Sequence, residues 1–402
     1  MKMIKIILFI MAVLLCFSIV MAIPNIEYYR PTPYNLASQT QTYVQLNSTI
    51  YEQNITQLVY LWNNTNYTYY SPNTVLFLNF NNLTELGEDN THIRELSLYN
   101  QTYNYTSGNT TIQNGKYLNS MAFDGTNDQI TFEDSTSLSI TDEITMAVWV
   151  YLFEASSWRS IICKQAQASH ASPYCNYGLF RSSDTTKWTI RINTASNNFG
   201  TVVYGQWVHL ACSWSSLTTT VNCYEDGQLV FTNVDYIDQP DDSIYPLRIG
   251  ASKAGEYFKG YMDDLIILNV SLSENEIQQL YFSSINRYNN TYWNYYVNQS
   301  MNKTVGLPTG KYNYSFYVSD NIGNDAHTEK RTIEIKQTVT SCDVPVYGQW
   351  NINAVELCNF TFPVKYPNNI EVNGSGIVNH FKKYITAPGY TTIIKGGAKV
   401  YN

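Results

Sequence analysis

The sequence predicts an all-β protein of stacked antiparallel sheets, and three observations carry that prediction. The first is composition: 35 of 402 residues are Tyr and only 14% are charged, against about 25% in a typical domain. Tyr and Thr favour strands, while the abundant Asn and Ser favour turns. The second is rhythm. Short apolar runs alternate with clusters of Gly, Pro, Asn, Asp and Ser, the pattern of a β-sandwich. The third is Ile144–Phe153, which is apolar at both parities. A strand alternates its faces, so this one has both covered and lies centrally between packed layers.

The chain opens with Lys2 and Lys5, an uninterrupted apolar run from Ile6 to Val20, and small residues ending at Ala22. These are the parts of a secretory signal peptide, with cleavage expected after Ala22. The apolar run is short for a membrane span, which needs about 20 residues. Net charge is −8, and loss of the two leader lysines makes it −10. No basic patch accompanies it, so nucleic acid is excluded as a partner.

Strands are expected at Val75–Leu78, Met121–Phe123, Ile144–Phe153, Trp207–Trp214, Thr219–Tyr224, Gln228–Phe231, Leu247–Ile249 and Tyr261–Leu268. Within Trp207–Trp214, Val208, Leu210, Cys212 and Trp214 share one face. Asp226-Gly227 forms a tight turn, and a second Asp-Gly turn falls at Asp124-Gly125. Ser273 and Glu276 form a capping box that starts a helix, with Ile277, Leu280 and Tyr281 on its buried side.

Beyond the leader, six Cys fall as near pairs: Cys163/Cys175, Cys212/Cys223 and Cys342/Cys358. After a signal peptide an even count reads as disulfides, and the intervals are too wide for zinc CxxC sites. Sequence does not fix the connectivity, but nearest-neighbour pairing fits the hairpins. Asn-x-Ser/Thr sequons are dense, Asn47, Asn54, Asn66, Asn269 and Asn313 among them, each an acceptor for a glycan on an exposed segment.

Seven pieces between about residues 74 and 284 occur in a family's order. They are the Met121–Asp128 turn, the Ile144–Leu152 strand, Ile161–Lys164, Gly205–Trp214, Cys223–Gly227, Leu247–Gly250 and Phe258–Ile277. This stretch resembles the laminin G-like jelly-roll family of the concanavalin A-like lectin/glucanase superfamily. The resemblance implies a jelly-roll fold over 73–285; fold alone does not dictate function. One departure stands out. Where the family has Asp and a Gly-rich stretch, this chain has Glu95–Asn100 without Gly, which puts a calcium site at that corner in doubt.

The flanks predict a second, smaller sandwich. Residues 286–337 resemble the end of an immunoglobulin- or fibronectin-III-like domain but hold about four of the seven strands it needs. Residues 23–72 supply strands such as Thr42–Leu46 and Gln57–Trp62. The expectation is a jelly roll inserted into a split sandwich, at a surface loop where insertion is tolerated. Residues 338–402 form a disulfide-containing β segment that resembles the first rungs of a β-solenoid, a fold that needs roughly three repeats or more.

Glucan cleavage by this superfamily would need paired carboxylates at alternate positions of one strand. Glu225 and Asp226 are adjacent and run into a turn, so no enzyme activity is expected. His209 reads as a packed core histidine. Asp124, Asp128, Asp263 and Asp264 are the oxygen donors for a calcium ion, the only cofactor considered. Sugar binding needs an aromatic platform with polar groups around it. The loop Gln165–Tyr177, with His170, Tyr174 and Tyr177, followed by Trp188 and Arg191, offers one. The leading expectation is an extracellular surface protein with a non-catalytic carbohydrate-binding or adhesive jelly roll, its partners glycans or cell-surface polymers. Two alternatives are a surface-layer or appendage subunit that self-assembles, and an accessory module of a polysaccharide-active enzyme.

Overall fold

Strand Glu143–Leu152 lies between Trp207–Ser215 and Lys259–Leu268, and it explains the fold around it. Its even residues Ile144, Met146, Val148, Val150 and Leu152 enter the larger core. Ala147 enters a second core on the opposite face. In the computed structural model the described residues are 23–336, apart from 90–91, 107–111, 154–156, 170 and 184–185. Beyond 336 they are only short strands between Trp350 and Val400. The leader, His170 and Cys342 lie outside the described residues. The chain forms two units, residues 1–335 and 336–402.

The protein is all-β, and two sheets enclose the larger core. One runs, in hydrogen-bonded order, Gln228–Asn233, Thr220–Glu225, Trp207–Ser215, Glu143–Leu152, Lys259–Leu268, Asn119–Asp124 and Ile112–Asn114, with Thr74–Leu78 also on Lys259–Leu268. The other runs Ala195–Phe199, Trp188–Ile192, Cys175–Arg181, Arg159–Gln165, Leu247–Ile249, Gln129–Phe132 and Tyr103–Thr106. Asp226-Gly227 closes a hairpin within the first sheet, with positive φ at both residues. Asp124-Gly125 instead carries the chain from one sheet to the other.

Cys212 and Cys223 stand directly opposite on paired strands and are bonded. Cys163 and Cys175 are bonded as well. The third expected pair, Cys342 with Cys358, is not among the bonds described. Cys342 is outside the described residues, and of Cys358 only the backbone is described, in the strand Leu357–Asn359 opposite Val378. The helix Glu274–Phe282 begins at the expected capping box, where the Glu276 carboxylate accepts from the Ser273 N–H at 2.8 Å. Ile277 and Leu280 dock on the second core.

Strands that precede residue 73 pair with strands that follow residue 282. Val44–Tyr51 lies between Asn25–Tyr29 and Tyr292–Gln299, with Ser283–Arg287 at the edge. Ile55–Trp62 lies between Thr65–Tyr70 and Gly310–Asp320, and Arg331–Ile335 and Ala37–Gln39 complete that sheet, with Asp325–His327 on Gly310–Asp320. In the C-terminal unit every pairing among the described residues is parallel: Trp350 stands opposite Ile370, and Ile370 opposite Thr392.

Candidate functional site

The seven-stranded sheet turns one face to the core and the other outward. Tyr177, Leu179, Trp188, Ile190 and Ile192 point inward. By alternation Gly178, Phe180 and Arg191 point outward. There a pocket of about 270 Å³ is lined by Trp158, Tyr174, Cys175, Phe180, Arg191, Ser252 and Glu256. Its floor is the Cys163–Cys175 disulfide with Phe180, and Trp158 meets Phe180 edge-on at 6.2 Å. Gly178 allows this packing, because a Cβ there would lie 2.4 Å from the Ile162 carbonyl and 2.8 Å from the Phe180 ring.

Arg191 is the polar centre of the pocket. Its guanidinium lies 4.9 Å from the Tyr174 ring centroid and 5.9 Å from that of Phe180. Burial lowers its pKa and the Glu256 charge opposes that shift; an arginine stays protonated regardless. Its Nε is buried without a hydrogen-bond partner. Tyr174 is 39% exposed at the pocket rim. The loop that presents it is tied by the disulfide and by Gln167 Nε2, which donates to the carbonyls of Ala171 and Ser172 at 2.8 and 3.0 Å.

Of the aromatic residues expected to touch sugar, the structure brings Tyr174 to this pocket beside Arg191 and places two elsewhere. Tyr177 and Trp188 are both fully buried in the core. The Tyr177 hydroxyl donates to the Leu138 carbonyl at 2.8 Å. The reason is strand parity: the loop ends at Tyr174, and Cys175–Arg181 and Trp188–Ile192 are strands whose inward positions these two occupy. Trp158, Phe180, Ser252 and Glu256 complete the pocket without having been singled out in the sequence. The signal for Phe180 was its parity with Gly178.

The four Asp do not assemble into a metal set. Asp124 Oδ1 accepts the N–H groups of Thr126 and Asn127 at 2.7 and 3.2 Å, and the buried Asp128 accepts the Asp124 N–H at 2.7 Å. That is turn chemistry. Asp263 and Asp264 are buried. A bulge interrupts the alternation at this point, and Asp264 has φ 41°. The two carboxylates interact, and burial pushes both well above the usual range. Asp263 accepts the Tyr117 N–H at 2.9 Å. Among the described residues no three His, Cys, Asp or Glu side chains converge to hold a metal. At the departing corner the Glu95 carboxylate is saturated by the N–H groups of Phe77, Ser97 and Gln101 and by the Ser97 hydroxyl.

Asp226 and Glu225 serve the fold. Asp226 accepts the His209 N–H at 2.9 Å and pairs with Lys303 at 2.5 Å, while Glu225 accepts the Thr201 N–H at 2.7 Å. His209 is buried, and burial pushes its pKa down to about 4. Of the sequon asparagines, Asn47 is 7% exposed and donates to the Arg30 carbonyl, so it is no glycan acceptor in the folded chain. Asn54, Asn66 and Asn269 are exposed.

Residues 124–278 match the concanavalin A-like lectin/glucanases superfamily. The matched segment runs from the Asp124 turn through the pocket strands to the helix. No curated protein matches the chain by sequence. Among solved structures, the binding domain of Paraclostridial Mosquitocidal Protein 1 is similar at 12% identity and a TM-score of 0.41, covering 52% of each chain. Domain 4 of AbnA, an extracellular arabinanase from Geobacillus stearothermophilus in complex with arabinotriose, is similar at 16% identity and 0.41, covering 52% of this chain and 97% of that one. The botulinum neurotoxin serotype G binding domain gives 15% and 0.41, covering 52% and 50%. The match spans about half the length of these toxin domains.

Proposed function

We propose that this chain is an exported surface protein whose superfamily segment binds carbohydrate at the outer-face pocket and performs no catalysis. The carrying observation is Arg191: a half-buried guanidinium with a free Nε, flanked by the exposed Tyr174 ring and by Ser252 and Glu256. An aromatic platform beside a few convergent polar groups is what a sugar ring requires. Export is supported by the leader sequence and by the two disulfides. The paired flanks support a jelly roll inserted into a split immunoglobulin-like sandwich. The all-parallel C-terminal strands support the start of a solenoid.

The test is a glycan array probed with the full chain, with calcium and again with chelator. Selective binding that persists in chelator, with at least one bound glycan weakened in Arg191→Ala, is the expected result. A folded protein that binds no glycan refutes the reading.

A structural, self-assembling role is favoured by one observation. Gln228–Asn233 is an edge strand whose Leu229 and Val230 are each 42% exposed. Unprotected edges of this kind pair with other chains. Concentration-dependent sedimentation abolished by Val230→Lys would support that role, and a monomer at every concentration would remove it.

A further inference from the structure

The outer face of the four-stranded sheet carries a pattern that the pocket does not use. On Tyr292–Gln299 the even residues Tyr292, Asn294, Tyr296 and Asn298 face out, while Trp293, Tyr295 and Val297 are buried. The register sets Tyr51, Thr49 and Gln45 opposite Tyr292, Asn294 and Asn298 on the neighbouring strand. The result is a ladder of rings alternating with amides and hydroxyls.

Over this face hangs the turn that precedes Asn119–Asp124. It is held by Asn119 Nδ2 on the Asn81 carbonyl at 2.8 Å, by Asn81 Nδ2 on Asn286 Oδ1 at 2.6 Å, and by the Tyr117 N–H on Asp263. Beneath the turn lie two cavities of about 410 and 240 Å³ that share Lys116, Tyr117 and Asn298. Tyr29, Tyr288 and Tyr296 wall the first, and Tyr43 and Tyr281 wall the second. Together they reach the size of small-ligand sites, about 300–1,000 Å³.

The charges select the ligand. No carboxylate lines either cavity. Of the two cations, Lys116 is held 4.1 Å over the Trp149 ring and Lys303 is paired with Asp226 at 2.5 Å. Both are already engaged by groups of this chain. What remains is aromatic faces for C–H surfaces and amides for hydroxyls, the complement of an uncharged sugar.

We propose that this groove, between the four-stranded sheet and the Lys116–Leu118 turn, is a second saccharide site that takes a short neutral oligosaccharide. It extends the carbohydrate-binding reading and stands on different residues. The full chain, made in a host that adds no N-linked glycans, is titrated by calorimetry with neutral gluco-, manno-, galacto- and xylo-trioses and with an acidic trigalacturonate. At least one neutral trisaccharide should bind, and its affinity should be unchanged between 50 and 500 mM salt, since no charge pair contributes. Tyr296→Ala should weaken it about ten-fold, the loss of one ring contact. Asn298→Ala, a surface change that leaves folding intact, should weaken it as well by removing an amide shared by both cavities that hydrogen-bonds the sugar hydroxyls. Trigalacturonate should not compete. If both variants stay folded and bind the neutral sugars as before, the groove is refuted while binding at the Arg191 pocket stands. If no neutral trisaccharide binds, the groove is refuted too, and if the glycan array is also blank both sites fall together.

Discussion

Arg191 and His209 show how one cause, partial or full removal from water, yields opposite roles. Arg191 keeps its charge and a free Nε at a pocket mouth, so its loss should be read in affinity. Arg191→Ala should weaken a captured glycan by at least about ten-fold, the worth of one charged hydrogen bond, with thermal stability nearly unchanged. Trp188→Ala, by contrast, opens a cavity in the core and should cost about 3–5 kcal/mol. His209 acts through pH. Its pKa falls from about 6.5 unfolded to about 4 folded, so between those values the unfolded chain binds a proton that the native one does not. Stability is then full above about pH 6.5 and is lost as pH falls towards 4, by an amount on the order of 3 kcal/mol. The buried Asp263–Asp264 pair has the opposite sign. Its folded pKa values are raised, so its contribution is full below about pH 4 and is lost as pH rises. Urea unfolding at pH 4 and pH 7 separates the two: His209→Gln should reduce the loss on acidification, and Asp264→Asn should raise stability at pH 7 relative to pH 4. An unchanged difference in either variant would refute its assignment. His209 reads as a packed histidine in the sequence, and it is buried. The burial of the Asp pair was not legible, because a bulge, which sequence does not announce, breaks the alternation there.

At the scale of elements, legibility followed the strength of the periodic signal. The central strand, the Asp226-Gly227 hairpin and the capped helix carry local chemistry that admits one geometry each, and all three were readable. The strands Cys175–Arg181 and Trp188–Ile192 were not. Asn176, Gly178 and Thr189 interrupt their apolar pattern, and the lining of the pocket was hidden with them. The disulfides rest on these same elements. Cys212–Cys223 ties two strands already paired in register, with both sulfurs in the core. Closing so short a loop constrains the unfolded chain by about 2–4 kcal/mol. The Cys212→Ala/Cys223→Ala variant should therefore lower stability by that order and leave glycan affinity intact. Removing Cys163–Cys175 should instead loosen the Tyr174 loop and reduce affinity as well. Chemical denaturation and the glycan titration, run on both variants, check this; equal effects on affinity would show that the Tyr174 loop does not depend on its disulfide.

For residues 23–335 the sequence suggests separable domains, whereas the packing joins them. The second core contains Leu58, Tyr60, Tyr295 and Phe316 from the flanking strands, and also Phe77, Ala147, Ile266, Ile277 and Leu280 from the central segment and its helix. The two ends of the central segment meet, with the Tyr69 hydroxyl on the Ser283 carbonyl at 3.5 Å. Periodicity shows that each strand has a buried face but not which partner covers it, so this sharing could not be read from sequence. It has a thermodynamic consequence. Interfaces between loosely docked domains are polar and small, and such domains melt separately. Here neither part can unfold without exposing the apolar surface of the other, so unfolding of residues 23–335 should be cooperative. Calorimetry should show one transition for this stretch. A fragment of residues 73–285 should melt at lower temperature and bind hydrophobic dye, because Phe77, Ile266, Ile277 and Leu280 lose the flank that covers them. Two resolved transitions, with the fragment as stable as the whole, would mean that the shared core contributes little and that the central segment is an independent domain on a passive stalk.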